Sequence, residues 1–362
     1  MPRKVLYGML VCIPMALLAD FLLKLDPVLV FILAGIGIIP LADFIGEATE
    51  DLAAYTGPKL GGLLNATLGN AAELIITIFA IKEGLLPLVL ASITGSIIGN
   101  LLLVLGFSLL VGGLRNGVQT FDRRTAAMNA TLLVLAVLAL SIPSLFHVAI
   151  RDDPSAENHL SEGVALVLII LYGLSVLYSF KQGETQSQRP TEAIQAAAPE
   201  KGEPHHPAWS RQESVMVLAV ATLGIVFMSE VLVGSVEHVT EKLGLSQFFI
   251  GIVLIPLIGN IAEHLVAVEA AYKNQMELSL AVSLGSSLQI ALFVAPVLVF
   301  ISLLFSNTLL LVFDEFELIA LAVASFIAAF VAQDGESNWL EGAMLLAVYF
   351  IICLGFFYLP AA

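Results

Sequence analysis

Gly69-Asn70-Ala71-Ala72-Glu73 and Gly259-Asn260-Ile261-Ala262-Glu263 are two versions of one pentapeptide, 190 residues apart. Each lies inside a long apolar stretch. Holding that offset without gaps places Gly95-Ser96 on Gly285-Ser286 and Glu47 on Glu237, and ten positions between 69 and 96 match their partners. Apolar matches carry little weight in so biased a composition. The polar ones do, because packing alone does not demand a glutamate at the same place in two apolar segments. The chain therefore contains an internal repeat.

The 362 residues around these motifs are 59% hydrophobic and only 12% charged, with a mean hydropathy of +0.96. A soluble domain carries about twice that charged fraction. The apolar surface has to face lipid, so the chain reads as an all-α polytopic membrane protein. A secreted disulfide scaffold and an ordinary cytosolic enzyme are excluded. The net charge of −15 points away from nucleic acid and towards cations. Cys12 and Cys353 both sit in apolar runs and read as packing residues rather than a disulfide.

A spanning helix needs about 20 apolar residues. Eleven such runs are expected, near 5–23, 28–46, 60–81, 85–112, 125–146, 162–180, 214–236, 247–271, 278–305, 316–333 and 339–358. The runs are long and continuous rather than short and alternating, which disfavours sheets. No small-residue cleavage site follows the first run, so it is kept as a helix rather than a removed signal. Residues 181–211 are polar and proline-rich and read as a linker, with room for a short helix near 191–198. Lys and Arg then divide eleven to four between the two faces, which places the N-terminus and the linker in the cytoplasm and the C-terminus outside. The expected organisation is an N-terminal helix (1–27), a five-helix repeat (28–180), the linker (181–211) and a second five-helix repeat (212–362). Five is odd, so the two repeats enter the membrane from opposite sides. Inverted repeats of this kind are a common architecture of secondary transporters.

A carboxylate at the bilayer centre costs roughly 2.5–3.5 kcal/mol on insertion scales. Glu73 and Glu263 have no intramembrane Lys or Arg to offset that cost; Lys82 and Lys273 lie at helix ends. Protons or a bound metal cation are the available counter-charges, and two carboxylates brought together by pseudo-symmetry can hold one divalent cation or up to two protons in turn. Asn70, Asn260, Ser96, Ser286, Asn100 and Gln289 add oxygens of the kind a hard cation such as Ca2+ prefers. The sequence has no intramembrane Cys/His cluster for a soft metal. Blander roles are open for these residues: helix breaking and interhelical glue for the asparagines, small-residue packing for the serines. The glycines at 69, 95, 99, 259 and 285 would allow helices to approach closely.

The stretches 61–106 and 259–296 resemble the two repeat motifs of the calcium/proton (cation/proton) exchangers, of the calcium/cation antiporter superfamily. The likeness extends to Pro40–Ala53 and to Ser229–Glu237. It implies one helix followed by two inverted five-helix repeats, and calcium export driven by proton influx, with no cofactor and no enzymatic step. By the resemblance, Glu73 and Glu263 match the family's central cation-binding and proton-carrying glutamates. His264, next to the second, is characteristic of the proton-coupled branch. The sodium/calcium branch has a Gly-Thr-Ser-x-Pro-Glu pattern that is absent here. Family members often carry a strongly acidic linker helix, whereas here Glu184, Glu192, Glu200 and Glu203 are set against Lys181, Arg189 and Lys201. Gln289 lies four residues after Gly285 and Asn100 five after Gly95, so the two half-sites are not strictly symmetric.

Several other residues carry expectations. Glu47, Glu50, Glu230 and Glu237 are candidates for an access path that attracts cations. Asp20 is expected to pair with Lys24. Asp43 and Glu269 are read as interfacial, as are the rings of Trp209 and Trp339. Asp314, Glu315 and Glu317 are read as a solvated approach to the tenth span, and His205-His206 as part of a flexible linker. Sodium/calcium or other divalent exchange (Mn2+ included) is the alternative within transport. A calcium channel or membrane calcium sensor is the alternative outside it. The compartment is a plasma membrane in a prokaryote and an acidic organelle in a eukaryote. Stoichiometry and oligomeric state are not legible.

Overall fold

The computed structural model describes residues 3–56, 61, 64, 67–185 and 208–359. Outside them lie part of the third span and most of the linker, with the expected helix near 191–198 and His205-His206. Among the described residues eight helices are long and apolar enough to cross a membrane, or nine if the bent pair Gln247–Gly259 and Ile261–Tyr272 counts as one. The helix expected as the tenth span is Glu315–Val331, at 17 residues shorter than an ordinary span. Among the described residues sheet is confined to a two-residue ribbon, Gln119–Thr120 against Glu336–Ser337. Several long helices change winding partway. Five- or six-residue π-helical segments interrupt them at Leu18–Leu22, Gly99–Val104, Ile250–Leu254 and Ile290–Val294.

The chain forms two compact units, and each draws on both halves of the sequence. The first unit is Met1–Ser92, Lys201–Ala262 and Gly355–Ala362, and the second is Ile93–Glu200 and Glu263–Leu354. In the first unit the helix Pro27–Thr56 packs along Arg211–Gly234. Gly251 lets a second-half helix cross a first-half helix closely, because a Cβ there would sit 2.6 Å from the Ala91 Cβ and 2.9 Å from the Leu88 carbonyl oxygen. Gly99 and Gly285, expected to serve close approach, instead have open space where a Cβ would be.

The chain's turns gather at two ends within each unit. At one end of the first unit Arg3 pairs with Glu47, and Tyr7, Phe44 and Trp209 form a run of ring contacts. Trp209 is docked among these rings. The fully buried Asp51 carboxylate accepts the backbone N–H groups of Ala208 (3.2 Å) and Trp209 (2.9 Å), and Tyr55 donates to the Trp209 carbonyl at 2.9 Å. Asp51→Ala would leave two N–H groups without this acceptor, a loss of about 3 kcal/mol for charge-assisted bonds. The expected outcome is a melting temperature several degrees lower for the purified protein.

At the other end of the first unit Lys242 pairs with Asp26, and Lys82 lies 3.8 Å from Glu230. The expected Asp20–Lys24 pair does not form. Lys24 takes a left-handed backbone (φ 47°) just past the helix end, and the acid that finds a lysine is Asp26, two residues on. The Lys242 ammonium holds the Asp26 carboxyl below the usual carboxylate range. Whatever stability this exposed pair adds is present above the unfolded carboxylate pKa and is lost as pH falls.

In the second unit one end brings together 115–120, 271–274 and 336–337. Gln119 donates to the Ala271 carbonyl and to the Asn274 side chain, both at 3.0 Å, and Arg115 stacks 3.7 Å over the Tyr272 ring. At the other end Ser144 donates to the Leu311 carbonyl and accepts from the Phe313 N–H, while Ser161 accepts from the Leu311 N–H. His147 sits 2.6 Å from Glu157 at that same end. The helix Glu315–Val331 runs from this end to the ribbon.

Candidate functional site

In both copies of the Gly-Asn-x-Ala-Glu motif the helix breaks at the asparagine. Asn70 precedes Ala71–Lys82 with φ −98°, ψ 24°; Asn260 separates Ile255–Gly259 from Ile261–Tyr272 with φ −102°, ψ 6°. The two breaks share one conformation, so the sequence repeat is also a backbone repeat. Asn70 makes no side-chain cap hydrogen bond there. Each break sets the following glutamate in the first turn of a new helix, where the dipole favours a negative charge.

In the first unit Asn70, Glu73 and Asn260 are all buried, at 1%, 3% and 2% exposure. Glu73 lies against Gly259 of the other motif. A Cβ at Gly259 would come within 2.9 Å of the Glu73 Cγ and 3.7 Å of its Oε1. The absent side chain is what gives the carboxylate its place.

In the second unit Ser286 links Glu263 to Asn100. The Asn100 amide donates to the Ser286 Oγ at 3.0 Å, and the Ser286 hydroxyl hydrogen-bonds the Glu263 carboxyl. With its oxygen accepting from Asn100, the hydroxyl proton is aimed at the carboxylate. Ser96, Asn100 and Ser286 are buried, while Glu263, His264 and Gln289 are partly so. No bond joins His264 to Glu263. Adjacent residues on a helix point about 100° apart, and the imidazole Nε2 is a buried atom without a hydrogen-bond partner. The paired glutamates fall one to each unit.

The four expected access-path acids lie in the first unit, two at each end. Glu47 is paired with Arg3, and Glu50 is exposed nearby; Glu230 is near Lys82, and Glu237 is exposed. Glu47 and Glu237, partners under the 190-residue offset, lie at opposite ends of the unit. Residues that sequence reasoning missed include Asp51, inside the quoted stretch Pro40–Ala53, and Gln119. The one available signal for Asp51 was an acid on the buried face of an apolar helix.

Residues 27–181 and 213–358 match the family described as sodium/calcium exchanger protein. The chain belongs to this family. A relative in this family, the Ca(2+)/H(+) antiporter of Aphanothece halophytica, is 47% identical over 99% of this chain and 97% of its own length. The Ca(2+)/H(+) antiporter ChaA of Bacillus subtilis is 44% identical over 89% of this chain and 90% of its own. The solved structure of native YfkE superposes with a TM-score of 0.83 at 38% identity, covering 98% of this chain and 100% of that one. Together with its apolar helices, membership makes this an integral, multi-pass membrane protein of a transporter family.

Ser286 and Asn100 offer a test of the half-site around Glu263. If Glu263 holds a cation, the groups that fix its carboxylate are typically worth 10–100-fold in affinity. Ser286→Ala and Asn100→Ala are each expected to raise half-saturating Ca2+ about tenfold. The double variant should be scarcely worse than either, because both remove one chain of bonds. Fully additive losses would show that the two residues act separately.

Proposed function

We propose that this chain is a secondary active antiporter that exports cytosolic Ca2+ in exchange for H+, by alternating access at the paired glutamates Glu73 and Glu263. The observation that carries the reading is an exchange of motif partners. Glu73 of the first motif rests on Gly259 of the second, and Glu263 of the second is tied through Ser286 to Asn100 of the first. Relatives at 44–47% identity are Ca(2+)/H(+) antiporters by name, which supports the substrate pair.

The chemistry follows from the cost of an empty, doubly ionised site. Closing two bare carboxylates into a low-dielectric interior is expensive, so the loaded states are the ones that close. Calcium loads the site facing the cytoplasm, and protons load it facing the acidic side. Asn70, Asn260, Ser96, Ser286, Asn100 and Gln289 supply neutral oxygens to a hard cation. His264 tunes Glu263 through the local field rather than through a bond. Glu47, Glu50, Glu230 and Glu237 draw cations to the two mouths. No resident cofactor is called for.

The architecture we propose has eleven spans: an N-terminal helix (1–27), a first repeat (28–180), a cytoplasmic linker (181–211) and an inverted second repeat (212–362). The assortment of turns supports this count. Counted by spans from a cytoplasmic N-terminus, the turns near 47–56, 113–120, 208, 273 and 335 are all cytoplasmic. The turns near 24–26, 83, 152, 242 and 306–313 are all external. Every ion pair and ribbon contact described above joins turns of one set. The N-terminus then lies in the cytoplasm and the C-terminus outside, in a plasma membrane or an acidic organelle.

The test is Ca2+ uptake into inside-out vesicles under an imposed pH gradient. Uptake that vanishes when the gradient is collapsed, with sodium present or absent, is expected. The family's description makes sodium coupling the second reading, and uptake that follows a sodium gradient at uniform pH would establish it. Half-saturating cytosolic Ca2+ should rise as pH falls, because protons occupy the same carboxylates; a pH-independent value would separate the two ions.

A further inference from the structure

Glu317 was expected to be solvated, and it is fully buried, at 0% exposure. It is the third residue of the helix Glu315–Val331, which opens with a capping box. The Asp314 side chain accepts from the Phe316 N–H at 2.9 Å, and Glu317 Oε2 accepts from the Asp314 N–H at 2.9 Å. The cap uses one carboxyl oxygen. The other, Oε1, is buried without a hydrogen-bond partner. So is the hydroxyl of Thr94, also 0% exposed, which is the side-chain hydrogen-bonding group facing this carboxyl. The Thr94 hydroxyl and this carboxyl can share one hydrogen bond, donated either by Thr94 to a carboxylate or by a protonated Oε1 to Thr94 Oγ1.

The cap and the helix N-terminus favour the carboxylate and full burial favours the acid, so the nearby charges decide between them. The charged group acting on Glu317 is another acid, Asp314. The helix Glu315–Val331 packs on Gly99–Val104 and on Arg123–Ile150. Gly99–Val104 and the adjoining Leu86–Ile98 carry no titratable side chain. On Arg123–Ile150, His147 is engaged with Glu157 and Arg123 and Arg124 stand at the opposite end. Among the described residues no cation pairs with Glu317. A buried, unpaired carboxylate is the costly form; the neutral acid is not.

We propose that Glu317 is a proton-binding residue distinct from the paired glutamates, a neutral carboxylic acid whose Oε1–H donates to Thr94 Oγ1. It is a positioning residue. Protonated, it fastens the helix Glu315–Val331 to the helix that carries Thr94, Ser96 and, one turn on, Asn100. When the proton leaves Oε1 for water, the buried charge forces that contact apart and exchange slows. The inference rests on the carrier reading above, and its test is chosen to fail separately from it.

The measurement is equilibrium exchange of labelled for unlabelled Ca2+ across liposomes containing the purified protein, at equal pH on both sides. No net proton movement accompanies this exchange. The paired glutamates must be ionised to hold Ca2+, so they slow it only at acidic pH. Wild type is expected to lose at least about fivefold in rate on the alkaline side, the size of an ordinary coupling between sites. Glu317→Gln keeps an oxygen for the cap and an N–H for Thr94 but cannot ionise, so its rate should hold steady there. Its infrared spectrum should also lack one protonated-carboxyl band that wild type shows at neutral pH. A flat alkaline limb in wild type, the same fall in the glutamine variant, or an unchanged infrared band would each overturn the proposal. Loss of the acidic limb in wild type would instead count against the paired glutamates.

Discussion

Proton-driven Ca2+ uptake is expected to fall at least about a hundredfold in Glu73→Gln and in Glu263→Gln taken singly. Glutamine keeps the volume of glutamate and its capacity to accept hydrogen bonds. What it loses is the charge and the proton. A unit charge about 4 Å from a divalent ion, at an effective dielectric near 20, is worth about 8 kcal/mol, before desolvation is subtracted. That is several times the 2.7 kcal/mol or so that a hundredfold loss requires. Either variant also leaves one ionisable group where exchange of one Ca2+ for two protons would use two. The spans that hold these residues contain no lysine or arginine to take over the charge. The measurement is vesicle uptake at fixed protein amount, with the melting temperature of each purified variant as a control for folding. Retention of more than a tenth of wild-type uptake by a folded variant would sink the paired-carboxylate mechanism.

Gly259→Val is expected to be the most damaging substitution outside the charged residues. A single added carbon at Gly259 would lie 2.9 Å from the Glu73 Cγ and 3.3 Å from its Cδ. Real carbon–carbon contacts sit nearer 3.5–4.0 Å. Alanine therefore pushes the Glu73 side chain by several tenths of an ångström, and valine adds two methyls in the volume the carboxylate occupies. Glutamate is flexible enough to yield, so the protein should still fold. The cost falls on the position of the carboxylate, and misplacing a ligand is what an ion site tolerates least. Half-saturating Ca2+ is expected to rise about tenfold in Gly259→Ala, and uptake to be lost in Gly259→Val. Gly234→Ala is the matched control in the same unit, with nothing within 4 Å of the added carbon. Equal behaviour of the three variants would mean that Gly259 is merely a helix breaker.

By itself the sequence determined the membrane class, most helices, the repeat and its two glutamates, because these depend on quantities local to a segment. Hydropathy over about 20 residues decides whether a helix can span. The repeated Gly-Asn-x-Ala-Glu motif has the same backbone conformation at Asn70 and Asn260, whereas the Gly99-Asn100 pair, outside that motif, sits inside a continuous helix. An uncompensated glutamate in an apolar run marks itself by its cost. Tertiary structure alone decided which polar groups meet. Asp51 holds Trp209 across 158 residues, and Asn100 reaches Ser286 across 186. Glu317 looked solvated because it stands beside Asp314 and Glu315 in the chain, yet its helix turns that one side chain inward onto Thr94. Gly259 and Gly285 look alike in sequence, and only one of them has a neighbour to make room for. Hydropathy and turn propensity sum over adjacent residues. The partner of a buried polar group is fixed by the packing of distant helices, and no local pattern encodes it.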